Sequence, residues 1–387
     1  MFVDLFYKFK NTLIGNKHDI ILINNKEYKI IKKISEGGFG IIYLVEDKRI
    51  NKRYAVKQIN IFNRSYLNQV TNEINAMKQM NEICNNTIVL IDYEIKHLNS
   101  SISSNSYQIN EYNYSNKNNN NNPSKAYLLL EYSILGNLIE YVNSLNKNTK
   151  VFFMPEVECL KIAKQLSSFL CKLHSLNPPI AHRDIKPDNI LLFRNKNYLE
   201  DNINNTNNNF DLDNYKYLLR VCDFGSCSSN TFDFSKSNKQ EKRKFLSEIE
   251  KSITLNYSPP EMIDTFSEYT VDHRVDLWML GCTLYSISFN KYAFPLDQKL
   301  AIINCAYNFP KKAYDIYSEK YLDLIRMLIN PNVNKRLSSK HMCYILENWY
   351  NQKEIPIKLS KEVVEIKSIQ TGLSISDLTK INDKIIS

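Results

Sequence analysis

The sequence predicts an α+β fold in two lobes: a five-stranded antiparallel sheet with one long helix in the small lobe, then a mainly helical large lobe. Three observations carry this expectation. The chain has 387 residues, more than a single compact core usually encloses. Short apolar runs broken by a glycine cluster dominate the first third. Apolar residues at helical spacing take over after Pro155.

The elements follow in order. Residues 1–24 form an N-terminal extension in which Phe2, Leu5, Phe6, Phe9 and Leu13 fall at helical spacing, with Asp4, Lys8 and Lys10 off the stripe. A helix docked on the globular body is the first reading, and a helix lying on a membrane surface the second. Strands are expected at Tyr28–Ile34, Ile41–Glu46, Arg53–Gln58, Thr87–Glu94 and Ala126–Tyr132, the first two as a hairpin around Ser35-Glu-Gly-Gly-Phe-Gly40. Ser65–Met80 reads as a helix with Val70, Ile74, Met77 and Met80 on one face. The Asn-rich stretches 99–125 and 195–214 lack the apolar content to offset the entropy of ordering and read as solvated insertions. Pro155 sits at a suitable first helical position for Pro155–His174. Asp272–Phe289 is more apolar and reads as buried, and Tyr321–Ile329 and Ser338–Tyr350 are further helices. The domain then spans 25–350, with the small lobe to about 132 and the large lobe from about 133. Residues 351–387 form a charged, Ser- and Ile-rich tail with some helical character.

Composition narrows the function classes. Hydrophobic residues make up 43%, enough for a sizeable core, and the net charge of +9 suits nucleic acid, acidic headgroups or a phosphate-bearing ligand. No aromatic-interleaved basic groove motif is visible, so nucleic acid is not expected as a partner. None of the eight Cys forms a C-x-x-C pair, which fits a reducing compartment rather than a disulfide framework or zinc site. No apolar run is long enough to span a bilayer and no signal peptide is read, so a cytoplasmic location is expected.

The stretch Ala181-His-Arg-Asp-Ile-Lys-Pro-Asp-Asn-Ile-Leu-Leu192 sets Arg183, Asp184, Lys186 and Asn189 among apolar residues. That much polarity is costly to bury for packing alone, so a reaction site is the economical reading. Gly37, Gly38 and Gly40 let the backbone approach an anion closely. Lys57, closing Ala55-Val-Lys on a mostly apolar strand, either snorkels or holds an anion, with Glu73 in mid-helix as the matching acid and Glu82, nearer the helix end, as the fallback. Asp223, in Cys222-Asp-Phe-Gly225, and Asn189 are hard oxygen donors suited to magnesium. Asp184 can orient a hydroxyl and accept its proton, and Lys186 can neutralise charge on a moving phosphoryl group. A cradle, a cation for phosphates, metal ligands and a base are the parts that phosphoryl transfer needs.

Together these motifs resemble those of protein kinases, from about Tyr28 to Tyr350. The resemblance implies the bilobal protein-kinase fold, ATP with Mg2+ (Mn2+ could replace it), and protein substrates with Ser or Thr acceptors. It implies a nucleotide contact set of Ser35, Gly37, Gly38, Gly40, Ile42, Ala55, Lys57, Glu73, Glu131, Ser133 and Leu191, with Ser35 standing where the first glycine of the loop is usual. Leu130 resembles the gatekeeper, Glu131 and Ser133 would present backbone groups to adenine, and Ile42, Ala55 and Leu191 would sandwich the ring. Asp223 to Glu261 resembles the activation segment, with Pro259 where alanine is usual before Pro260-Glu261. Arg336 is then placed to pair with Glu261, Asp276 to hold the catalytic-loop backbone, and Arg183 to clasp a phosphate on an acceptor such as Ser226, Ser228, Ser229, Thr231 or Ser235. Lys186 together with Thr254 looks like the serine/threonine class.

Finer features, including Val271-Asp-His-Arg-Val-Asp-Leu-Trp-Met-Leu-Gly-Cys-Thr-Leu-Tyr285, look like the Numb-associated kinase family, and within it the small myristoylated and palmitoylated branch. That implies a role in vesicle trafficking and a peripheral place on Golgi or vesicle membranes. Position 2 is Phe2 and the first Cys is Cys84, so lipid anchoring of that kind is not expected, and the stripe at 2–14 is the candidate membrane contact. The rival classes are a pseudokinase scaffold and a membrane-surface adaptor. The presence of Lys57, Asp184 and Asp223 argues against the first.

Overall fold

The computed structural model describes residues 20–38, 40–97, 124–145, 153–198, 215–250, 253–264, 266–350 and 359–384. The expected helix at 2–14, most of the two Asn-rich insertions and part of the tail lie outside them. The chain divides into two compact units.

The first unit comprises residues up to Ile74 together with Val89–Tyr132. It is built on an antiparallel sheet of β1 (Ile20–Ile23), β2 (Lys26–Gly37), β3 (Gly40–Asp47), β4 (Lys52–Ile61), β5 (Leu90–His97) and β6 (Ser124–Glu131), in the order β1-β2-β3-β4-β6-β5. The sheet has one strand more than the five expected. The added strand, β1, falls in the stretch assigned to the N-terminal extension, and its cause is local. Asn24 and Asn25 both adopt left-handed backbone, with φ of 47° and 61°, and join Ile23 to Lys26 across a two-residue turn. The hairpin then buries Ile21 and Ile23 in one cluster with Tyr28, Val45, Tyr54, Val56 and Leu129. The sheet curls until its edge strands meet: Asn24 Nδ2 donates to Asp92 Oδ1 at 2.7 Å and Lys96 Nζ to the Leu22 carbonyl at 2.6 Å.

Two other boundaries move. β6 starts at Ser124, inside the stretch expected to be an insertion, because Ser124 and Lys125 extend the ladders to β4 and β5. β5 starts at Leu90 rather than Thr87, because Thr87 bridges to Val221 and the Ile88 amide donates to the Val221 carbonyl at 2.9 Å. Helix α1 (Arg64–Ile83) buries Val70, Ile74, Met77 and Met80, the face that the spacing predicts. It starts where it does because Asn63 Oδ1 caps it, accepting from the amides of Ser65 and Tyr66 at 2.9 and 3.1 Å.

The second unit comprises Asn75–Ile88 and the chain from Ser133. Among the described residues it contains α2 (Leu138–Leu145), α3 (Glu156–His174), the ribbon β7 (Ile190–Arg194) and β8 (Tyr217–Val221), α4 (Lys239–Ile249), α5 (Val275–Phe289), α6 (Lys299–Ile303), α7 (Ala313–Ile316), α8 (Glu319–Leu328), α9 (Ser339–Tyr350), α10 (Lys361–Thr371) and α11 (Ile375–Lys384). Every residue of α5 is buried, as its all-round apolarity requires, and α3 and α8 pack against it. None of the described helices is long and apolar enough to cross a membrane.

Helix α4, between Asp223 and Glu261, is not among the expected elements. Asn238 accepts from the Gln240 and Glu241 amides while the Glu241 carboxylate accepts from the Asn238 amide, a reciprocal capping box that starts the helix. Leu246 and Ile249 bury its inner side. In the tail, Ser360 caps α10 and Gly372, at φ 74°, ends it.

At Gly281, α5 passes close to the end of α8. A Cβ there would lie 2.7 Å from Ile329 Cγ1 and 2.8 Å from Leu328 Cβ. Gly281→Val is therefore expected to destabilise the second unit by about 1–3 kcal/mol through overpacking, read from the urea unfolding midpoint of the full chain.

Candidate active site

In the first unit, the β-register sorts the expected nucleotide contacts onto one face. Ile42 pairs with Lys57, Lys57 with Leu128, and Ala55 with both Leu44 and Leu130. Directly opposed residues share a face, so Ile42, Ala55, Lys57 and Leu130 lie together. The alternate positions, Val45, Tyr54, Val56 and Leu129, form the cluster covered by β1. Lys57 Nζ meets Glu73 Oε1 of α1 at 2.6 Å, and both side chains are almost wholly buried. A buried lysine without such a partner would be costly, so the pair holds the ammonium group at a defined place.

The glycine turn closes with Gly37 paired to Gly40, and Ser35 pairs with Ile42. Gly40 has φ 118°, and a Cβ there would sit 2.1 Å from the Gln58 carbonyl oxygen, so glycine alone carries this position. Gly37 and Gly38 face open space. A cavity of about 230 Å3 is walled by Gly37, Gly38, Gly40, Phe62, Tyr66 and Glu73. Glu131 ends β6, and its amide donates to the Val89 carbonyl at 3.1 Å while its carboxylate accepts from the Val89 amide at 2.9 Å. Its N–H is therefore spent inside the protein.

In the second unit, Asp184 is the centre of a tight polar cluster. Lys186 Nζ donates to both its carboxylate oxygens, at 2.9 and 2.8 Å. Thr254 Oγ1 donates to Oδ1 at 2.9 Å and accepts from Lys186 Nζ at 2.7 Å. Asn189 Nδ2 donates to Oδ2 at 2.7 Å and to the Asp184 carbonyl at 2.9 Å. The Thr254 contact places an aliphatic alcohol on a carboxylate oxygen at hydrogen-bond distance, the geometry an acceptor alcohol would need.

Asn189 and Asp223 stand at the same end of the β7–β8 ribbon. Ile190 pairs with Val221, and the Cys222 amide donates to the Asn189 carbonyl at 2.9 Å. Asp223 adopts left-handed backbone, φ 65°, a conformation that costs a residue with a Cβ on the order of 1–3 kcal/mol and so is held by its surroundings. Asn189 gives its amide hydrogens to Asp184, which leaves Oδ1 as its hard oxygen donor, and Asp223 supplies a carboxylate at the same end of the ribbon. That donor set fits a magnesium ion completed by phosphate and water. Ser133 and Leu191, the remaining nucleotide candidates, also belong to this unit. Ser133 Oγ bonds the Leu192 carbonyl, and Leu191 pairs with Arg220.

Asp276, fully buried in the first turn of α5, holds the backbone of the reactive loop. Its Oδ2 accepts from the His182 amide at 2.7 Å and its Oδ1 from the Arg183 amide at 2.8 Å. Arg183 has φ 65°, and its Nη2 donates to the Asn230 carbonyl at 2.7 Å, so it reaches the activation segment. His174 Nε2 donates to Asp276 Oδ2 at 2.9 Å, a partner that no sequence motif signals. Burial pushes the Asp276 carboxyl up, but the His174 hydrogen bond and charge, with the His182 amide, outweigh it and hold the group below the ordinary 3.8. The His182 ring packs against Phe224 at 5.0 Å and Phe169 at 6.1 Å, and burial keeps its imidazole below the usual range. At the far end of the activation segment, Arg336 forks onto Glu261 at 2.6 and 2.9 Å, with both side chains fully buried.

A protein kinase domain model matches residues 28–346. The chain belongs to the protein kinase family. A probable serine/threonine-protein kinase of Dictyostelium discoideum is 30% identical across 84% of this chain and 34% of its own length. A second from the same organism is 27% identical across 82% of this chain and 24% of its own length. Actin-regulating kinase 1 of Saccharomyces cerevisiae is 27% identical across 82% of this chain and 44% of its own length. The chain thus spans less than half the length of these relatives.

The Asp276 carboxyl lies lower in the folded chain than in the unfolded one, so its contribution to stability is complete above about 3.8 and is lost as pH falls through the lower folded value. Asp276→Asn should flatten the acid limb of the stability–pH curve, measured by urea midpoints between neutral and strongly acid pH.

Proposed function

We propose that this chain is an ATP-dependent serine/threonine protein kinase, with Asp184 as the group that orients the acceptor hydroxyl. The observation that carries the reading is the Asp184 carboxylate held by Lys186 and Asn189 with an alcohol, Thr254, on its Oδ1. Lys57, fixed by Glu73, grips the phosphates, and the glycine turn lets backbone approach them. Asn189 and Asp223 would hold Mg2+, which when bound neutralises charge on the phosphates. Lys186, already on Asp184, balances negative charge as the acceptor oxygen attacks. The presence of Lys57, Asp184, Asn189 and Asp223 favours catalysis over a scaffold.

The finer reading is a kinase of the Numb-associated type, acting on proteins of vesicle trafficking or actin regulation from a cytoplasmic position peripheral to Golgi or vesicle membranes. The quoted motifs support the first part, and the similarity to Actin-regulating kinase 1 supports the link to actin. The stripe at 2–14 is the proposed membrane contact.

Asp184→Asn is expected to lower turnover at least roughly 100-fold in an ATP-consumption assay with a Ser/Thr peptide, and retained activity overturns the role of Asp184. For the membrane contact, the full chain should float with anionic vesicles while Phe6→Glu/Phe9→Glu stays in the load; equal flotation ends that part of the reading.

A further inference from the structure

Helix α10 lies beyond residue 346, where the match to the kinase domain ends, yet it is bound to α8 by a partly buried ionic quartet. Arg326, its side chain wholly buried, donates from Nη1 to Glu319 Oε1 at 2.7 Å and to Asp323 Oδ1 at 2.5 Å. Lys367 comes from α10 to the same two carboxylates, at 2.9 and 2.8 Å. Arg326 Nε also donates to Gln370 Oε1 at 2.9 Å. Two cations offset two carboxylates; Arg326, Lys367 and Asp323 are largely withdrawn from solvent and need opposite charge, while the Glu319 side chain is half exposed. Burial pushes the Glu319 carboxyl up, but the bonds and charge of Lys367 and Arg326 prevail and hold it below its usual range. Val363 and Val364, on the inner side of α10, are buried too, so apolar packing holds the helix beside its ionic contacts.

The N-terminal end of α10 meets the loop that holds Asn330 and Asn332. Ser360, its cap, accepts from Asn330 Nδ2 at 3.1 Å, and Glu362 accepts from Asn332 Nδ2 at 2.8 Å. Asn330 is fully buried, and its carbonyl accepts from Arg336 Nε at 3.0 Å. Arg336 is the residue that forks onto Glu261. A continuous series of hydrogen bonds therefore runs from the tail cap through Asn330 and Arg336 to the end of the segment that carries Thr254 to Asp184.

We propose that α10 is a positioning element of the catalytic unit: docked through Lys367, it fixes Asn330 and so the Arg336–Glu261 anchor that sets Thr254 on Asp184. The proposal rests on the kinase reading for its activity readout, but not for its structural one. Loss of the Lys367 ammonium leaves Asp323 and Glu319 with a single cation, loosens the helix and withdraws Ser360 from Asn330. The buried Asn330 amide then lacks its Ser360 acceptor, and the guanidinium beyond it loses a fixed support.

The test uses the full chain, with kcat and KM for ATP measured beside hydrogen exchange of the backbone at 253–264. Lys367→Glu and Ser360→Ala should lower kcat about tenfold with KM for ATP unchanged, and should speed exchange at 253–264. Lys367→Arg, which keeps the charge, and Ile369→Lys, on the exposed side of the same helix, should match the unmodified chain in both readouts. If Lys367→Glu speeds exchange across α10 while kcat and exchange at 253–264 stay unchanged, the proposal is overturned. An inactive unmodified chain would defeat the kinase reading alone, since exchange at 253–264 would still decide whether α10 positions the segment.

Discussion

Asp276 is the constraint on which the second unit depends. The loop from His182 to Asn189 is neither helix nor strand at its start, and Arg183 is forced into left-handed backbone, so this stretch cannot satisfy its own amides. A buried carboxylate in the first turn of a fully buried helix supplies the missing acceptors, two oxygens for two consecutive amides. The positive end of the helix dipole and the His174 imidazole make that ionised group tolerable in a dry interior. Once His182 and Arg183 are fixed, Asp184 projects from a known point. The Thr283 hydroxyl on the Ile185 carbonyl ties the loop to the same helix a second time.

The first unit solves a different problem by strand alternation. One sheet face gathers Ile42, Ala55, Lys57 and Leu130, and the other is buried under β1. A lysine can be kept almost out of solvent there because Glu73 arrives from α1. The turn joining β2 and β3 needs Gly40 because backbone from β4 passes within contact distance of where a side chain would begin. Packing on one face thus holds rigid the strands whose other face carries the polar chemistry.

Much of the site was legible because its residues come in short contiguous motifs whose chemistry makes little sense as packing. His182 to Asn189, Cys222 to Gly225 and Ala55 to Lys57 each betray themselves by polarity in apolar company. The Glu73 assignment followed from its mid-helix place. Two further elements carry local signals: Asn24-Asn25 as a two-residue hairpin turn, and Asn238 with Glu241 as a capping box. Others had no local signature. His174 looks like any histidine near a helix end, and nothing near Asn330 or Lys367 announces that they meet a tail helix and a distant arginine.

The sequence by itself determined the class of fold, singled out the candidate site residues and marked most of the helices and strands around them, because propensity, periodicity and motif chemistry act over a few residues. Only the tertiary structure decided which other buried charges meet: Asp276 with His174, and Lys367 with Asp323. Such pairings span tens of residues, and each exists because a desolvated charge must find an opposite one wherever the folded chain happens to bring it.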